Sequence, residues 1–172
     1  MKQLLFIALF GLTSLLNAQT VEVGDILLNG TIGHSLTLSE LRSKRVKIDS
    51  IRPIPELMDM STADSLVYIG GTYFEYFTNS KNCLLSVIKL DGRIKEVKIG
   101  SLILTNETTI ESIQANFPES CQTTAEIKFY QDTKAYRTCG VPISARGKIT
   151  DAQLRFFFLK EKLTRIDLWN PS

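Results

Sequence analysis

Residues 151–169 read "DAQLRFFFLKEKLTRIDLW". A half-buried strand alternates apolar and polar side chains, but Phe156, Phe157 and Phe158 stand in a row, so both faces of this strand carry apolar groups. A three-residue loop, Lys160-Glu161-Lys162, pairs 159 with 163, 157 with 165 and 155 with 167. One face then holds Leu154, Phe156, Phe158, Thr164, Ile166 and Leu168, which suits packing against a core. The other holds Arg155, Phe157, Leu159, Leu163, Arg165, Asp167 and Trp169. On this outer face Phe157 lies against Arg165 and Arg155 against Asp167: a cation–π contact and an ion pair, each worth under ~1 kcal/mol when exposed. Aromatic residues and arginine are enriched at interface hot spots. Arg155, Phe157, Leu159, Arg165 and Trp169 are therefore the candidate binding residues. The competing reading is an ordinary surface, or one covered by the chain itself.

The chain opens "MKQLLFIALFGLTSLLNAQT". Lys2, the apolar run Leu4 to Leu16 and a small residue at Ala18 read as a secretory signal peptide over 1–18. The run is shorter than the ~20 residues of a membrane span, and no second long apolar run follows. Residues 19–172 are expected to form a single exported domain, periplasmic or secreted. A formal charge of +2, with basic and acidic residues scattered, points to neither nucleic acid nor a membrane surface as partner. Export permits a disulfide among Cys83, Cys121 and Cys139. Cys121 and Cys139 flank two strand-like runs around the polar turn Gln131-Asp132-Thr133-Lys134, so a hairpin brings them together. Closing that loop is worth ~3 kcal/mol in the chain-entropy model, and Cys83 is left as a buried thiol.

Two short helices carry start signals. Thr37 and Glu40 make a capping box for a helix over 38–45, with Leu36 and Leu41 placed as a hydrophobic staple. Thr108 and Glu111 do the same for 109–116, which Pro118 ends. "SLVYIGGTYFEYF" reads as strand on both sides of Gly70-Gly71, and "CLLSVIKLDGRIKEVKIG" as a hairpin with loop 91–93 that aligns Leu85, Val87, Val97 and Ile99. "VPISARGKIT" reads as a loop before a final hairpin over 152–169. The pattern predicts an α+β fold: an antiparallel sheet with two short helices on one face. Leu38 and Leu41 match Ile110 and Ile113 at an offset of 72, and the aromatic strands that follow match at 78–82. This suggests a duplicated helix-plus-strands unit with halves 26–100 and 101–170, against chance resemblance.

"TTIESIQANFP", the strands after it and "LRFFFLKEKLTRIDL" resemble the β-lactamase-inhibitor-protein fold and the related small outer-membrane assembly lipoproteins. The resemblance covers 102–169 well and 27–99 loosely. It implies an exported helix-and-sheet module, sometimes tandem, used for binding. The chain lacks the lipid-bearing Cys of the lipoproteins, and no inhibitory residue carries over.

No catalytic or metal constellation is legible. The single histidine, His34, sits next to Ser35, where side chains on an extended segment point apart, and no Gly-x-Ser-x-Gly elbow is present. The cysteine spacings do not suit zinc, and no cofactor motif appears. Asn29-Gly-Thr and Asn106-Glu-Thr are glycosylation sequons, relevant only in a eukaryotic secretory route. The sequence thus points to a non-enzymatic exported module that binds an unknown protein partner, as an inhibitor, an immunity-type protein or an envelope assembly factor. The alternatives are a secreted hydrolase using scattered carboxylates and a structural envelope protein.

Overall fold

The computed structural model describes residues 19–44, 46–55, 61–129 and 132–169. The signal peptide expected over 1–18 and Gln131 of the expected turn lie outside the described residues. Fourteen strands and two α-helices follow in chain order: β1 Val21–Glu22, β2 Ile26–Leu28, β3 Ile32–Gly33, β4 Ser35–Thr37, α1 Leu38–Ser43, β5 Ser50–Pro53, β6 Ser65–Ile69, β7 Thr72–Phe77, β8 Asn82–Lys89, β9 Val97–Ile99, β10 Leu102–Leu104, α2 Ile110–Asn116, β11 Ala125–Lys128, β12 Ala135–Ala145, β13 Lys148–Leu159 and β14 Lys162–Trp169.

The fold is mostly β, which corrects the expected α+β arrangement of one sheet under two helices. Strand makes up 52% of the structure and helix 11%. A large mixed sheet runs β1-β12-β13-β14-β8-β7-β6-β5, with β11 also on β12 and β4 on β8; a small antiparallel sheet runs β10-β9-β2-β3. The helices are too short to form a layer. The described part of α1 buries only Leu41, and α2 only Ile110 and Ile113. Much of the apolar cover comes instead from the small sheet: Ile26, Leu28, Ile32, Val97, Ile99 and Leu104 share one buried cluster with Phe74, Ile88, Phe156, Phe158 and Ile166 of the large sheet.

The misreading traces to one segment. Residues 82–99 are not a hairpin: β8 pairs with β7, β14 and β4, whereas β9 leaves for the small sheet between β2 and β10. Side-chain hydrogen bonds hold the connection that crosses over. The Asp91 carboxylate accepts from the backbone N–H of Gly71, Arg93 and Ile94. Asn29, at φ +47°, donates to the Arg93 carbonyl and accepts from the Lys95 N–H. Gly70, at φ +61°, has no room for a side chain, because a Cβ there would sit 2.6 Å from an Asp91 carboxylate oxygen.

Other local readings hold or shift by a residue. The Thr37–Glu40 capping box is present, and Gly70-Gly71 closes the β6–β7 hairpin. The second helix is capped by Thr109, not Thr108. Tertiary pairing decides this: the Thr108 carbonyl accepts from the Leu163 N–H, and the Ile110 N–H donates to the Glu161 carbonyl. The helix therefore starts one residue beyond its best sequence signal. "VPISARGKIT" is not a loop but the β12–β13 turn and its flanks, with Arg146 and Gly147 both at positive φ. Pro142 is accommodated next to a register shift between Pro142 and Ser144. Cys121 and Cys139 form a disulfide with a Cα separation of 5.1 Å, beside the β11–β12 hairpin. Cys83 is a buried free thiol, and desolvation pushes its pKa up to about 11.

Candidate functional site

The outer face of the large sheet carries the residues singled out by the sequence. Its register aligns Gly140, Arg155, Asp167, Val87, Tyr73 and Tyr68 in one cross-strand row, and Thr138, Phe157, Arg165 and Lys89 in the next. The hairpin that builds it differs from the expected one. Lys160 and Glu161, at φ +51° and +63°, form a two-residue turn of the primed type. Phe158 pairs with Leu163, and a register shift after Phe157 takes up the extra residue, restoring Phe157 opposite Arg165 and Arg155 opposite Asp167. The shift moves Leu163 from the outer face into the core, where it is fully buried.

Phe157 is not an open anchor: it is 3% exposed. Phe129 lies over it with ring centroids 5.0 Å apart, and Tyr136 meets it edge-on at 6.4 Å. Both covering rings come from the β11–β12 hairpin, and the sequence reading of the outer face omitted them. Their signal was available in "EIKFYQDTKAY", where aromatics stand at each end of the polar turn. The Arg165 guanidinium lies 4.3 Å over Phe129 and 5.6 Å from Phe157. Leu159 is half-buried at the end of β13. Arg155, Arg165 and Leu159 thus stay partly accessible, and Trp169 is the most open of the five, at 41% exposure.

The charges also pair differently. Asp167 does not take Arg155 as its partner; it accepts from Arg165 Nε at 2.5 Å and Nη2 at 2.7 Å, along the same strand. Arg155 lies instead 4.1 Å over the Trp169 ring. Among the described residues it makes no ion pair or hydrogen bond through its side chain. Burial raises the Asp167 pKa above the ordinary carboxylate value, overcoming the pull of Arg165, Lys89 and Arg155. Burial lowers the Lys89 pKa, and the nearby Arg165 adds to the effect. Burial likewise raises the Tyr73 pKa. The patch sets Lys89, Arg155 and Arg165 around Asp167, with Asp132 and Lys134 close enough to act on Lys89.

No group of three or more His, Cys, Asp or Glu side chains among the described residues could hold a metal ion. His34 is half-buried and its backbone carbonyl accepts from the Leu85 N–H at 2.7 Å. The Asn29 side chain is occupied in the 91–95 connection, whereas Asn106 is exposed. No described helix is long and apolar enough to cross a membrane. The architecture defines a disulfide-bonded, mostly β protein of two sheets around one core. Comparison of the chain with protein-family models, with curated proteins and with solved structures gives no match.

Proposed function

We propose that this protein is an exported, non-enzymatic protein-binding module, and that its recognition surface is the outer sheet face around Trp169 and Arg155. One observation carries the reading. The only tryptophan of the chain is 41% exposed and stacked with an arginine that has no ion-pair partner among the described residues. Tryptophan and arginine are the commonest hot-spot residues, and here they stand on long paired strands that limit the ordering cost of binding. The resemblance of 102–169 to exported binding modules supports the same class. The disulfide is compatible with an oxidising, extracytoplasmic location. Affinity capture from the envelope and medium of the producing cell, with wild type and Trp169→Ala side by side, tests it. A protein retained by the wild type and lost with a variant of unchanged melting temperature is expected. Identical capture by the two proteins overturns the reading.

We also propose that the chain is built from two copies of one unit, with the second copy beginning at β9 and not at residue 101 as the sequence suggested. The support is that each sheet is symmetric in strand order about its centre. In the large sheet β12-β13-β14 meets β8-β7-β6 through an antiparallel β14–β8 pair, and in the small sheet β10-β9 meets β2-β3 through an antiparallel β9–β2 pair. Arg155 and Trp169 belong to the second copy, although Tyr73 and Lys89 of the first copy border them on the same face. At the offset that aligns Phe156 with Phe74, Arg155 and Phe157 correspond to Tyr73 and Glu75.

A further inference from the structure

Beside Arg155 the outer face is hollowed. The hollow is lined by Thr123, Thr124, Thr138, Cys139 and Gly140, with Arg155 as one wall. Three features make it receptive to an anion. Its side-chain polar groups are hydroxyls and a guanidinium, and no carboxylate lines it. β12 has no strand partner there on its outer edge, because β11 pairs only as far as Thr138 and β1 begins at Ile143. The nearest acid across the sheet, Asp167, is already held at two points by Arg165. Gly140 faces Arg155 across the strands and carries no side chain, and the space a Cβ there would take is met by the amide oxygen of Gln153. Trp169 occupies one flat side of the guanidinium, which favours binding through its N–H groups.

We infer that this hollow is a subsite for a carboxylate of the protein partner, so that an acidic segment docks with its carboxylate between Arg155 and the threonine hydroxyls while an adjoining apolar group lies on Trp169. The inference rests on the protein-binding reading and gives that partner its chemistry. Arginine suits the role because its fork of donors matches a carboxylate at two points.

Trp169 is its own reporter, being the single tryptophan and in contact with Arg155. The probe is N-acetyl-triglutamate, titrated into the intact mature protein while Trp169 emission is followed, with N-acetyl-triglutamine as the neutral control. A saturable change with triglutamate alone is expected, weakened about tenfold by Arg155→Gln, the loss of roughly one charged hydrogen-bonded contact. Arg42→Gln, which removes the same charge on α1, is expected to leave it unchanged. The inference is overturned by no saturable change, by an equal response to triglutamine, or by equal weakening in the two arginine variants. The affinity capture separates it from the broader reading. Capture that depends on Trp169 but is indifferent to Arg155→Gln leaves the binding face standing and removes the carboxylate subsite. Triglutamate binding through Arg155, without any protein whose retention needs Trp169, removes the protein-binding reading and with it the partner named here.

Discussion

Ile88 and Ile166 face each other across the β8–β14 pair at the centre of the large sheet, and both are fully buried. They stand 78 residues apart, within the 78–82 offset expected between the aromatic strands and the hairpin strands that follow them in the proposed copies. Leu27 and Lys98 do the same across β2–β9, at an offset of 71. If the two units are copies, as proposed, the residues nearest the axis pair with their own counterparts, which is the pattern of these two pairs. The inner sides of both halves join in one core through these two pairings.

Ile166→Ala should therefore cost about 2–5 kcal/mol, because it opens a cavity where the halves meet. Urea unfolding followed by circular dichroism checks the value, and a single transition with a lowered midpoint is expected. Two separate transitions would mean that the halves unfold independently.

Phe156→Ala and Phe157→Ala should both destabilise strongly, by about 3–5 kcal/mol for Phe156 and somewhat less for Phe157, whose cover is the pair Phe129 and Tyr136. A double-mutant cycle of Phe157→Ala with Phe129→Ala should return a coupling of about 0.5–1.5 kcal/mol. Additive losses would mean that the two rings do not stabilise each other.

Removal of the disulfide by Cys121→Ser together with Cys139→Ser should cost about 3 kcal/mol. Peptide mapping without reduction should recover residues 121 and 139 in one linked fragment. Cys83, buried with its pKa raised to about 11, should resist thiol reagents until the protein unfolds.

Lys160→Gly should stabilise by about 0.5–1 kcal/mol, because lysine is held there at φ +51°, a conformation that glycine adopts without strain. Thermal melts compare the two proteins. An unchanged or lower melting temperature would show that the turn is not strained.

Asp91 gives the pH dependence. Its partial burial opposes ionisation, but the N–H groups of Gly71, Arg93 and Ile94 hold its pKa below the ordinary value of 3.8. A lowered folded-state pKa means stability that is present above the unfolded pKa and is lost as the pH falls through the folded one. Asp91→Asn should cost about 1 kcal/mol at pH 7. The gap between variant and wild type should close below pH 3.8. A gap independent of pH would assign the loss to shape and not to charge.

The residues themselves determined the short-range features. Thr37 with Glu40 fixed a helix start, and the cysteine-flanked hairpin run a disulfide. Each depends on atoms a few residues apart, or on the two ends of one hairpin, so the local pattern suffices. The register of Phe157 against Arg165 was also readable, although the turn was not: a two-residue loop with a later shift and a three-residue loop give the same pairing there. Only the tertiary structure decided which sheet each strand joins. Val97 and Ile99 alternate like any hairpin partner of β8, and nothing in that alternation shows that Asn29 and Asp91 steer them into a second sheet. The same holds for Phe157. Its side of the strand was legible, but its burial depends on Phe129, 28 residues earlier, folding back over it. Which of two apolar faces stays open is set by contacts distant in the chain, and that left Trp169, stacked with Arg155, as the exposed aromatic.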